Sequence, residues 1–220
     1  MMTFQKTAWA ALVACVVIVG TSPQADARPV SYPGGWTFMS MNDGDANTLH
    51  LHYSPTAYTS LGYKFEHWRE GEFNLHAVQM NNLLKRWNGP DSQANLYLKS
   101  GVGVAIGDDD NGKDTTTPAG FTGLATDWEN RRFFASYENR FTEAGNITDF
   151  YTQSARVGVA PYVGDYGDIH TWLMLEVRHA HESDDPVTVT PLVRMFKGPD
   201  LLEAGMSTDG KGLFNYVHRF

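Results

Sequence analysis

Two methionines and two histidines lie close together early in the chain. Met39 and Met41 fall in Trp36-Thr37-Phe38-Met39-Ser40-Met41-Asn42, and His50 and His52 in Thr48-Leu49-His50-Leu51-His52-Tyr53-Ser54. Each pair has i, i+2 spacing, which in an extended chain puts both side chains on one face. Trp36 and Phe38 belong with Leu49, Leu51 and Tyr53 on an apolar face. An even-length turn through Asp43-Gly44-Asp45-Ala46 then gathers Met39, Met41, His50 and His52 on the other. Thioether and imidazole suit soft ions, so the expected cofactor is a Cu or Ag ion. The competing reading is that Met fills gaps and His satisfies hydrogen bonds in a polar interior.

A second cluster is His179-Ala180-His181-Glu182-Ser183-Asp184-Asp185, where two imidazoles on one face precede carboxylates. Such donors can hold Zn(II) or Cu(II); the plainer reading is a solvated loop. The acidic run Asp108–Asp114 misses the EF-hand spacing, because Gly112 requires an acidic ligand where Gly107 stands. His52-Tyr53-Ser54 resembles the His-x-Ser pair of outer-membrane lipid A deacylases, which implies His52 activating Ser54 as nucleophile. His181-Glu182-Ser183 repeats the spacing. The stretch from Tyr32-Pro33-Gly34-Gly35-Trp36 through His50-Leu51-His52-Tyr53-Ser54-Pro55 resembles uncharacterised exported proteins encoded near heavy-metal efflux systems, which implies metal handling.

The elements that position these residues are strands. Period-2 alternation dominates, and turn residues punctuate it at short intervals. The pattern predicts strands at 36–42, 48–54, 59–68, 73–86, 93–106, 121–128, 132–141, 148–162, 169–181, 187–196, 201–207 and 213–220. That makes about twelve, with ten as the alternative count. In 93–106, Leu96, Leu98, Val102, Val104 and Ile106 alternate with Asn95, Tyr97, Lys99, Gly101 and Gly103. In 132–141, Phe133, Ala135, Tyr137 and Phe141 alternate with Arg132, Ser136, Glu138 and Arg140.

The N-terminus carries an address. Lys6 precedes the apolar run Ala8–Gly20, and Ala25-Asp26-Ala27 offers an Ala-x-Ala cleavage site, the pattern of a secretory signal peptide. The run is shorter than the ~20 apolar residues a spanning helix needs. The expected organisation is a signal peptide at 1–27 and one domain at 28–220. Leu12-Val13-Ala14-Cys15 also resembles a lipobox, although the apolar run continues past it. Cys15 is the only cysteine, so cleavage after Ala27 leaves no thiol for disulfides or metals. Residues 1–27 hold one Lys and one Asp, so the net charge of −8 is unchanged by their removal. An acidic domain is a poor match for nucleic acid.

Alternation alone fits a soluble β-sandwich as well as a barrel. Three features favour the barrel. The longest expected connection, Asp108–Gly120, follows an odd-numbered strand, while connections after even strands are short, as barrel topology demands. The polar faces carry charges of both signs that can pair across a narrow interior: Lys64, Glu66, Lys99, Glu138, Arg140, Arg156, Glu176, Arg178 and Arg194. The last strand, with Phe214, Tyr216 and terminal Phe220 on one face, resembles the C-terminal signal of outer-membrane barrels, from which His218 departs. The expectation is a closed antiparallel up-and-down transmembrane β-barrel in the cell outer membrane. Its partners would be outer-membrane lipid, lipopolysaccharide and the barrel assembly machinery. Its function would be non-enzymatic, as a narrow channel or a copper- or silver-handling envelope protein. The alternatives are a lipid A deacylase-like hydrolase and a soluble periplasmic sandwich that binds a ligand.

Overall fold

The computed structural model describes residues 29–109, 111–165, 167–180 and 186–220. The expected signal peptide, the Cys15 lipobox and the cluster members His181, Glu182 and Ser183 lie outside them.

Twelve strands follow one another: β1 (Trp36–Asn42), β2 (Ala46–Tyr53), β3 (Thr59–Trp68), β4 (Phe73–Asn88), β5 (Ser92–Asp108), β6 (Asp114–Asn130), β7 (Phe133–Glu143), β8 (Asp149–Val159), β9 (His170–Ala180), β10 (Val187–Lys197), β11 (Asp200–Met206) and β12 (Gly212–Arg219). Each pairs with its sequence neighbours, and β1 pairs with β12, closing the sheet. The closing ladder runs antiparallel from Thr37↔Arg219 to Asn42↔Phe214. Closure leaves no unpaired sheet edge along the seam, and it replaces the sandwich alternative.

The two faces are inverted relative to a soluble protein. Leu51, Val102, Val157, Leu173 and Val187 are exposed on the outside. Their sequence neighbours His52, Gly101, Arg156, Trp172 and Thr188 point inward. Outward aromatics gather towards the end that carries Phe220: Trp36, Tyr53, Trp87, Trp128, Phe133 and Phe220 are all exposed. An apolar outer band with an aromatic girdle and a polar interior is the surface pattern of a transmembrane barrel.

One expectation fails at β5–β6. The stretch 108–120 is not a long connection, because pairing continues through Ile106↔Thr116 and Gly107↔Thr115 to Asp108↔Asp114. The β-branched Thr115–Thr117 favour strand. Pro118 is tolerated because β6 pairs with β7 only from Gly120 onward, leaving 114–119 as an edge where no second ladder needs its N–H. Within the remaining turn, Asp109 Oδ1 accepts the backbone N–H groups of Asn111 (2.9 Å) and Lys113 (3.1 Å). The longest stretch between strands is instead 160–169, after the even-numbered β8. The loop-length parity therefore does not hold, and the barrel rests on its pairing.

β5 and β6 are each 17 residues long, roughly 56 Å at ~3.3 Å per residue. About 9–11 tilted residues cross a hydrocarbon core, so this hairpin reaches well beyond one.

Candidate functional site

The interior is layered. Towards the β1–β2 turn, an apolar plug is built from Trp68, Phe73, Leu75 and Phe121, with Phe150 packed against it. Phe150 on β8 meets Trp68 on β3 edge-on, with ring centroids 4.6 Å apart, so the plug reaches from β2 to β8, with no member from β9–β12. Gly101 makes room for it: a Cβ there would lie 2.4 Å from the Phe121 ring. Near the opposite end, Val30 packs with Leu83, Tyr97 and Ala125. This segment before β1 is tied into the barrel mouth. Ser60 Oγ donates to the Pro29 carbonyl (2.8 Å), and Ser31 N–H donates to Ser54 Oγ (3.0 Å).

Between the plugs lies a charged layer. Arg140 on β7 donates through both terminal nitrogens to the two Glu66 oxygens on β3, each at 2.7 Å. Lys64 Nζ sits 2.7 Å from the same carboxylate. The Arg140 guanidinium lies 3.9 Å from the Phe121 ring centre, so plug and ion pair hold each other in place. Lys99 joins Glu138 at 2.6 Å. On the other wall, Arg156 pairs with Glu176 and, at 3.2 Å, with Glu203. Arg194 and Asn215 also donate to Glu203, each at 2.7 Å. Arg178 clasps the β1–β2 turn through Asp43 (2.9 Å) and Asp45 (2.7 Å).

Arg140–Glu66, Arg156–Glu203 and Arg178 with Asp43 and Asp45 cross the lumen. β3 and β7 stand four places apart in the closed order, as do β1 and β9, and β8 and β11 three. The ladder nonetheless leaves a cavity of ≈ 290 Å³, close to the lower end of the ~300–1,000 Å³ of small-molecule pockets.

Within the ion-paired set the charges match: Lys64, Lys99, Arg140, Arg156, Arg178 and Arg194 are six cations, and Glu66, Glu138, Glu176, Glu203, Asp43 and Asp45 are six anions; Asp127 and Glu129 also border the cavity. The nine residues singled out in the sequence all take part. They comprise six cations and only three anions, a mismatch that low-dielectric burial does not tolerate. Glu203, Asp43 and Asp45 make up the difference. The signal that could have found them was that missing charge.

Met39, Met41, His50 and His52 all line the cavity. The register sets Met39 directly opposite His50, Met41 opposite Thr48, and Thr37 opposite His52. The two imidazoles lie with centroids 4.6 Å apart, tilted by 44°. His52 and Ser54 share the inner face, but no hydrogen bond joins them. Ser54 Oγ is engaged by Ser31 N–H, and neither His52 ring nitrogen has a partner. His179 pairs with Val187 and Gln153 in the register, at the β9–β10 turn end. Its neighbour Arg178 points into the lumen, so His179 sits on the outer wall, apart from the first hairpin. Among the described residues, no group of three or more His, Cys, Asp or Glu is placed to hold a metal.

No family profile and no curated protein sequence matches the chain. Two solved structures are similar in part. One is the KdgM porin in complex with disordered oligogalacturonate, with a TM-score of 0.48 and 9% identity, over 84% of this chain and 98% of that one. The other is OmpTdeltaL8, a loop L8 deletion mutant of OmpT, an outer membrane protein of Vibrio cholerae. It has a TM-score of 0.32 and 9% identity, over 84% of this chain and 96% of that one.

Proposed function

We propose that this protein is an outer-membrane barrel whose lumen is a narrow passage, lined by paired charges, for small hydrophilic solutes. The observation that carries the reading is the inversion of the wall. An apolar, aromatic-rimmed outside encloses a network of luminal ion pairs, some of them crossing the lumen, that leaves a polar cavity. A barrel used only as a rigid anchor gains little from such a core, since apolar packing stabilises as well as buried ion pairs. Charged groups that can re-pair with one another, with water or with a solute suit a passage.

Lipid would surround the outer band, and lipopolysaccharide the projecting β5–β6 hairpin. Phe214, Tyr216 and Phe220 lie on one face of the last strand, which supports recognition by the barrel assembly machinery. His218, the departure from that signal, is held on the same face by Asp200 at 2.7 Å.

Planar-bilayer recording on refolded protein tests the passage. A lumen narrowed by paired charges predicts small unitary currents. Absence of current from protein that shows a folded, heat-modifiable band would overturn it. A second reading, metal handling, is favoured by one specific observation in the first hairpin.

A further inference from the structure

We infer that Met39, His50 and His52 form a binding site for a soft monovalent metal ion, Cu(I) or Ag(I), in the lumen wall. The starting point is a deficit. His50 Nε2 and both ring nitrogens of His52 are buried without a hydrogen-bond partner, and His52 is fully enclosed. A buried polar atom left unpaired costs about 1–3 kcal/mol. Three such atoms on two adjacent rings mark either a strained interior or a site whose ligand completes it. Glu66 and Glu138 are already engaged, by Lys64, Arg140 and Lys99, and Asp127 accepts from Asn95. Thr37 Oγ1, opposite His52, and Gln79 Oε1 are also buried without partners, but only the imidazoles offer nitrogen donors to a soft ion.

The donors around them are soft. Met39 stands directly across the ladder from His50, where Cβ atoms of opposed residues lie about 4.5–5.5 Å apart. Met41 is the next inward residue on the same strand and borders the same cavity. Two imidazole nitrogens and one thioether, with a second thioether in reserve, match the preferences of Cu(I) and Ag(I). Among the described residues, no third His, Cys or carboxylate is placed to serve Zn(II) or a hard cation.

The electrostatics select the ion's charge as well. Lys64 lies opposite His50 across the β2–β3 ladder, although Glu66 neutralises it. An ion held by neutral ligands keeps its full charge. One positive charge is easier to place beside Lys64 than two.

The inference rests on the luminal reading only in that an ion must reach the cavity. Its test therefore uses protein in detergent micelles, where neither a bilayer nor transport is needed. Isothermal titration with Ag(I) should show one site per chain. Met39→Leu keeps the shape of the side chain and removes the sulfur. Loss of a ligand should weaken binding at least as much as loss of an outer-shell partner, by ~10-fold or more. His50→Gln should do the same, whereas Met206→Leu on the outer wall should leave affinity unchanged.

X-ray absorption of the Cu(I) form should show sulfur and nitrogen neighbours, with sulfur lost in Met39→Leu/Met41→Leu. Heat-modifiable gel mobility confirms folding of each variant; should His50→Gln fail to fold, the methionine variants decide. Equal affinity in wild type and Met39→Leu, or a copper shell of nitrogen and oxygen alone, would overturn the site. So would a wild type without stoichiometric Ag(I) binding. Conductance without metal binding would leave the passage standing and remove the site; metal binding without conductance would do the reverse.

Discussion

Glu66→Gln is the most informative single change to the luminal ladder. The Glu66 side chain is 3% exposed and meets Arg140 (11%) and Lys64 (15%). Removing its charge strands two cations against an aromatic plug. Breaking a buried ion pair by deleting one partner costs about 3–5 kcal/mol, and the adjoining cavity points to the lower end, about 3 kcal/mol. The control is Glu138→Gln, whose side chain is 43% exposed and pairs with Lys99 at 21%. An exposed pair of that kind contributes at most ~1 kcal/mol. The two variants should therefore differ by about 2 kcal/mol, or roughly 30-fold in the unfolding equilibrium.

Reversible urea unfolding in detergent at neutral pH, followed by tryptophan fluorescence and gel mobility, measures both. The double variant Glu66→Gln/Arg140→Met should recover part of the loss, because it removes one stranded cation and keeps an apolar contact for Phe121. Equal losses in the two single variants, or a Glu66→Gln loss below about 1 kcal/mol, would show that the ladder is not a buried network.

Other consequences can be checked in parallel. Arg178→Ala releases Asp43 and Asp45 of the β1–β2 turn and removes one luminal cation. Unitary current should rise and the reversal potential should move towards cation preference; an unchanged reversal potential would contradict the luminal placement of Arg178. Gly101→Val drives a Cβ into the Phe121 ring, and overpacking of this kind costs typically ~1–3 kcal/mol, measurable as a lower urea midpoint. In the β5–β6 turn, the Lys113 and Asn111 backbone N–H groups hold the Asp109 carboxyl below its ordinary range. Its contribution is therefore complete at neutral pH and lost as pH falls through the lowered folded value. Carboxyl NMR should place its midpoint below the usual ~3.9, and Asp109→Ala should speed amide exchange at Asn111 and Lys113.

Most of the architecture was legible in the sequence, because a barrel wall exposes one apolar face and one polar face along every strand. The alternation in 93–106 puts Tyr97 inside and Val102 outside, as observed. The failure at 108–120 came from reading Pro118 and the Asp/Gly run as loop. Whether a proline interrupts a strand depends on which side carries a ladder, which is tertiary information. The first hairpin could be aligned from its turn and its aromatic face, and the observed register agrees with that alignment. The rest of the lumen was less accessible. Glu203 lies between Leu202 and Ala204 in a strand whose inward face also holds Leu201 and Gly205, so its alternation is weak. Asp43 and Asp45 look like turn residues, and only closure of the barrel carries Arg178 to them. The packing of Pro29 and Val30 into the mouth left no periodic trace at all.

The central claim is that the apolar face of the wall meets lipid and the charged face does not. Single-tryptophan variants reconstituted in vesicles of brominated lipid test this most directly, because bromine quenches only indoles that touch acyl chains. Variants retaining only Trp36, Trp87 or Trp128, all exposed on the outer wall, should be strongly quenched. Variants retaining only Trp68 or Trp172, which are buried inside, should keep their emission. Quenching of Trp68 and Trp172 with protection of the other three would mean that the faces are turned the other way, and the account would fail.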